Sequence, residues 1–113
     1  MKELKSVFSR EELAENAVKL LKKLIATPSM SRDEYNASLI IEGFFNEHQL
    51  TVNRFKNNIW ATNKHFDAGK PSILLNTHHD TVKPNKAYTL DPFIPVERDG
   101  KSLGLGSNDA GAS

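Results

Sequence analysis

The sequence contains no cysteine, so a disulfide framework, a thiolate metal site and a cysteine nucleophile are all excluded. It also has no apolar run near the ~18 residues that a membrane span needs. No excess of one charge is present, because 15 Lys and Arg stand against 14 Asp and Glu. Nucleic acid and anionic membrane are therefore disfavoured as principal partners. The opening Met1-Lys2-Glu3-Leu4-Lys5 lacks the apolar stretch of a signal peptide, which leads us to expect a cytoplasmic protein. With 113 residues, of which 38% are hydrophobic and 26% charged, one domain at most is expected, with a thin core. Any metal site must be built from histidine and carboxylate.

What is present reads as α/β. Ser9 and Glu12 form a capping box, and Leu13, Ala17, Leu20, Leu21 and Leu24 follow as one apolar stripe of a helix that Thr27-Pro28 ends. Ser31 and Glu34 predict a second capping box, opening a helix with Ala37, Ile40, Ile41, Phe44 and Phe45 on one side, to about His48. Leu50 to Phe55 and Ile59 to Thr62 suggest a hairpin turning at Asn57-Asn58. Ser72 to Thr77, with consecutive Ile73, Leu74 and Leu75, predicts a strand covered on both faces, as in a mixed sheet flanked by helices. A Pro-rich connection follows, and Asp99-Gly100 is a second hairpin signal.

Two segments carry chemistry. His78-His79-Asp80 lies just past the expected strand, where α/β sheets tend to bind ligands. Residues i and i+2 of an extended chain share a face, so Asp80 can accept the second N–H of the His78 imidazole. Taken alone, the tripeptide also suits polar residues that merely close a strand. The second segment, Gly104-Leu105-Gly106-Ser107-Asn108-Asp109, can deliver Asp109 from a tight turn, or can be an open Gly-rich stretch. It is not a phosphate loop, since Asp109 stands where a dinucleotide fingerprint needs Gly and no Gly-Lys-Ser/Thr follows.

Together, His78-x-Asp80-x-Val82 and Gly104-x-Gly106-Ser107-x-Asp109 resemble the paired motifs of the zinc-dependent aminoacylase family, which includes desuccinylases, deacetylases and carboxypeptidases. Thr27-Pro28-Ser29 with Ser31 and Glu34, Asn58-Ile59-Trp60-Ala61 and Asp91-Pro92-Phe93 are lesser matches. The resemblance implies a zinc-peptidase-like catalytic domain, of which residues 1–113 would be the N-terminal part. It implies two zinc ions, with cobalt an alternative. His78 would be a ligand of one ion and Asp109 the bridge between both. Asp80 would be the catalytic-site carboxylate that orients His78 without ligating. The implied reaction removes the acyl group from an N-acyl amino acid, N-acetylornithine foremost. A dipeptidase or carboxypeptidase of the same family and a non-catalytic binding module are the alternatives.

Gly111-Ala112 departs from the family's usual Lys-Gly, and a cis peptide after Asp109 is a further implication of the resemblance. Glu34, Glu42, Glu97, Asp99, His48 and His65 are expected on capping, turn or solvent positions, leaving the general base and the other ligands outside this chain. An inactive fragment is the expectation, with an unpaired sheet edge through which a homodimer could form.

Overall fold

The computed structural model describes residues 8–109. Two helices lead the chain, α1 (Arg10–Ile25) and α2 (Tyr35–Glu47). Four short strands follow: β1 (Val52–Phe55), β2 (Asn58–Ala61), β3 (Val96–Arg98) and β4 (Lys101–Leu103). Helix α1 begins as its sequence dictates. The Ser9 side chain accepts from the Glu12 N–H at 3.1 Å and the Glu12 carboxylate accepts from the Ser9 N–H at 2.7 Å. Such a box contributes about 1 kcal/mol to the helix.

Helix α2 begins differently. Its N-cap is Glu34, with no side-chain capping bond, so the Ser31–Glu34 box does not form. Arg32 takes φ 72°, and Glu34 accepts instead from the Arg32 N–H at 2.9 Å. Both residues are thereby freed for contacts elsewhere. Glu42 is not on a solvent face either. It pairs with Arg54 at 2.6 Å, and Arg54 also donates to Ser38 at 2.9 Å, tying α2 to the first hairpin.

The strands form two separate antiparallel pairs, β1–β2 and β3–β4. In the first, Phe55 pairs with Asn58, so the turn residues are Lys56 and Asn57 rather than Asn57 and Asn58, and Lys56 takes the positive φ of 55°. In the second, Arg98 pairs with Lys101 around Asp99 and Gly100, whose φ of 52° and 72° is the two-residue hairpin geometry that Asp-Gly favours.

The expected covered strand is absent among the described residues. Ile73, Leu74 and Leu75 are 90%, 84% and 90% exposed and belong to no strand. A strand of this kind needs neighbours on both edges and cover on both faces, and each hairpin here satisfies only itself. The result is a small mixed α/β chain rather than helices packed about one mixed sheet. Its accessible surface is 9402 Å², against about 6,200 Å² for a closed globule of this mass. The buried apolar side chains among the described residues are Ile25 and Ala37, the thin core that the composition implies.

One long-range pairing positions the candidate site. Met30 and Thr81 form a parallel bridge, with the Thr81 N–H donating to the Ser29 carbonyl at 2.7 Å and the Ser31 N–H to the Thr81 carbonyl at 3.2 Å. The glycine-rich segment packs against the same region. A Cβ at Gly104 would lie 2.4 Å from Ile25 Cγ2, and one at Gly106 would lie 2.9 Å from Thr81 Cγ2. Only glycine permits that approach.

Gly104→Ala should therefore destabilise the fold by about 1–3 kcal/mol through overpacking against Ile25, read as a lower urea midpoint. An unchanged midpoint would contradict this packing.

Candidate metal centre

His78, Asp80 and Asp109 meet, although they come from two distant stretches of chain. The His78 Nδ1–H donates to Asp80 Oδ1 at 3.0 Å, as an i and i+2 pair of extended chain allows. On the other side of the ring, His78 Nε2 faces Asp109 Oδ1 at 3.5 Å. Asp80 is itself held, because the Ser31 hydroxyl donates to its Oδ2 at 2.5 Å. The order across the site is thus hydroxyl, carboxylate, imidazole, carboxylate.

The electrostatics follow from that order. The hydrogen bond to Asp80 raises the His78 pKa above the ordinary imidazole value. Burial opposes it, and the Asp80 carbonyl and then the Asp109 charge reinforce the rise. Asp80 is lowered, chiefly by the Ser31 hydroxyl and then by His78. The favourable contact of His78 is fully present below the ordinary imidazole pKa and is lost as pH rises through the raised value. That of Asp80 is present above the ordinary carboxylate pKa and is lost as pH falls through the lowered value. The charged pair persists between those limits, and solvent screens it because the His78 and Asp80 side chains are 49% and 34% exposed.

The geometry also fits a divalent cation. With Nδ1–H committed to Asp80, neutral His78 presents a lone pair from Nε2 toward an anionic oxygen. Two acceptors face each other there, and 3.5 Å is long for a hydrogen bond. Two ligands of one tetrahedral ion, bound at ~2.0–2.2 Å, lie about 3.3–3.5 Å apart. A cation shared by Nε2 and Oδ1 resolves the lone-pair conflict at the separation seen. Among the described residues no third His, Cys, Asp or Glu joins them.

The other carboxylates and histidines lie elsewhere. Glu97 pairs with Lys22 at 2.9 Å. His48 stacks on Phe44 at a centroid distance of 4.2 Å, at the end of α2. His65 lies in an exposed loop. His79 turns away from the site, its Nε2–H donating to the Asn57 carbonyl at 3.1 Å. Gly111, Ala112 and the Asp109–Ala110 peptide lie outside the described residues. No helix among the described residues is long and apolar enough to cross a membrane.

Known proteins are similar to this chain over most of its length. The chain is 36% identical over 94 residues to succinyl-diaminopimelate desuccinylase of Xylella fastidiosa, covering 76% of this chain and 24% of that protein. It is 31% identical over 102 residues to the Bordetella pertussis enzyme of the same name, covering 83% and 26%. It is 35% identical over 109 residues to acetylornithine deacetylase of Erwinia tasmaniensis, covering 83% and 28%. The chain thus spans about a quarter of the length of the curated relatives it matches. No protein-family model matches it. At this identity and coverage the chain belongs to the aminoacylase family that both names share, whose named members hydrolyse amide bonds, and the similarities select neither member.

Asp80→Asn should lower the His78 pKa in the metal-free protein, because it removes the charge that the imidazolium faces. Following the His78 ring signals by NMR through a pH titration checks this. An unmoved titration would show that Asp80 does not tune the ring.

Proposed function

We propose that this chain supplies part of the metal centre of an amidohydrolase that removes the acyl group from an N-acyl amino acid. The observation carrying this reading is the His78 imidazole, fixed by Asp80 on one nitrogen and turned toward Asp109 with the other. His78 Nε2 and Asp109 would hold zinc, with cobalt able to substitute. Asp109 has two oxygens and can serve two ions. Bound there, zinc would supply Lewis acidity toward the substrate amide. Asp80 fixes the His78 tautomer and raises the basicity of Nε2.

A catalytic zinc takes three protein ligands, and the described residues bring two. The remaining ligands and the general base would then come from polypeptide outside these residues. N-acetylornithine and N-succinyl-diaminopimelate are the two substrates to test, because the similar proteins are named for acting on them. N-acetylornithine is our first choice, on the motif resemblance. Cytoplasmic location goes with that reading.

Titration calorimetry with zinc should show weak binding that His78→Ala and Asp109→Asn each abolish. Binding indifferent to both changes would overturn the proposed centre. The 113-residue chain should turn over neither substrate, and turnover would refute the need for ligands from elsewhere.

A further inference from the structure

The turn before α2 holds Ser31 and Glu34, and neither side chain makes a capping bond to the helix. Ser31 is fixed through its backbone, its N–H donating to the Thr81 carbonyl at 3.2 Å, while the Asp33 N–H closes the turn on the Met30 carbonyl at 2.8 Å. Its hydroxyl then reaches Asp80 Oδ2 at 2.5 Å. Asp80 therefore has a fixed donor on each oxygen, Ser31 on Oδ2 and His78 on Oδ1. A carboxylate held at both oxygens cannot rotate about its last torsion without breaking a charge-assisted hydrogen bond.

The same turn has a second arm. Glu34 Oε2 accepts from the Asn57 side-chain amide at 3.1 Å, and the Asn57 carbonyl accepts from His79 Nε2–H at 3.1 Å. The Ser29 hydroxyl donates to the His79 carbonyl at 2.8 Å. Both residues that follow His78 are thus tied to the segment between the helices, at Asp80 by Ser31 and at His79 by Ser29 and, through Asn57, by Glu34. The His78 Nδ1–H donates to Asp80 Oδ1 at 3.0 Å and lies 3.3 Å from the Asp80 carbonyl, so its ring direction is set by Asp80, with the carboxylate the nearer acceptor.

We propose that Ser31 is a positioning residue for His78, acting through Asp80, so that the direction of Nε2 depends on the Ser31 hydroxyl. This rests on the metal-centre reading above. Without the hydroxyl, Asp80 Oδ2 loses its donor, the carboxylate gains a rotation, and Nε2 no longer has one fixed direction toward Asp109. Loss of a partner outside the ligand set costs 10–100-fold in metal affinity in other sites. Ser31 is one hydrogen bond further out, so the lower end, about tenfold, is expected.

The test compares zinc affinity and the metal-free His78 ring 15N signals in wild type, Ser31→Ala, Ser31→Thr and His78→Ala, with far-UV circular dichroism as the control for folding. Ser31→Ala should bind zinc about tenfold more weakly and shift the His78 ring signals, with the fold intact. Ser31→Thr, which keeps a hydroxyl at an exposed position, should return both to near wild type. If Ser31→Ala binds as wild type does while His78→Ala does not bind, this proposal fails and the metal centre stands. If wild type fails to bind zinc, or His78→Ala binds equally well, the metal-centre reading fails and takes this proposal with it. Should Ser31→Ala not fold, the wild-type protein decides. A slowly exchanging Ser31 hydroxyl proton with a cross-peak to the Asp80 side chain is expected, and a freely exchanging one overturns the proposal.

Discussion

The candidate site depends on the pairing of residues 29–31 with residues 79–81. Two hydrogen bonds across Thr81, to the Ser29 carbonyl and from the Ser31 N–H, hold a stretch that no strand of the described residues supports. Without that pairing Asp80 would lose Ser31, and His78 would lie on an open segment continuous with the exposed Ile73-Leu74-Leu75 run. The glycines act on the same place from the other side. At Gly104 and Gly106 the chain passes too close to Ile25 and Thr81 for any side chain, and Asp109 follows three residues later.

From that platform the chemistry is narrow. One imidazole nitrogen is spent on a carboxylate, which sets the tautomer, and the other is aimed at a second carboxylate at 3.5 Å. A proton or a metal cation satisfies that arrangement, and the proton form is the imidazolium whose pKa both carboxylates raise. Metal binding and protonation at Nε2 therefore compete, and affinity falls as pH drops through the His78 titration. The centre is also open, with the Asp109 side chain 80% exposed. A water-excluding catalytic pocket would need further cover, in keeping with a surface well above that of a closed globule.

Much of this was legible in the sequence because it is local. The Ser9–Glu12 box, the end of α1 before Pro28 and the Asp99-Gly100 hairpin each depend on residues within a few positions, and each appears as expected. The His78–Asp80 contact is equally local, an i and i+2 pair. What could not be read is non-local. Ser31 and Glu34 have capping-box spacing, but Ser31 finds a stronger acceptor in Asp80, 49 positions along the chain, and Glu34 turns to Arg32 and Asn57. The strand expected at 72–77 failed for a related reason. Its apolar run is a demand for partners, and these four short strands pair only with one another. The approach of Asp109 to His78 was expected from paired motifs alone, since neither motif by itself excludes an unremarkable loop.

The most direct measurement is anomalous diffraction at the zinc edge from crystals of the chain soaked in zinc. The account predicts a peak between His78 Nε2 and Asp109 Oδ1, within ordinary zinc–ligand distance of both, with Asp80 still on Nδ1. A zinc site elsewhere, or no peak with the imidazole rotated away from Asp109, would contradict it.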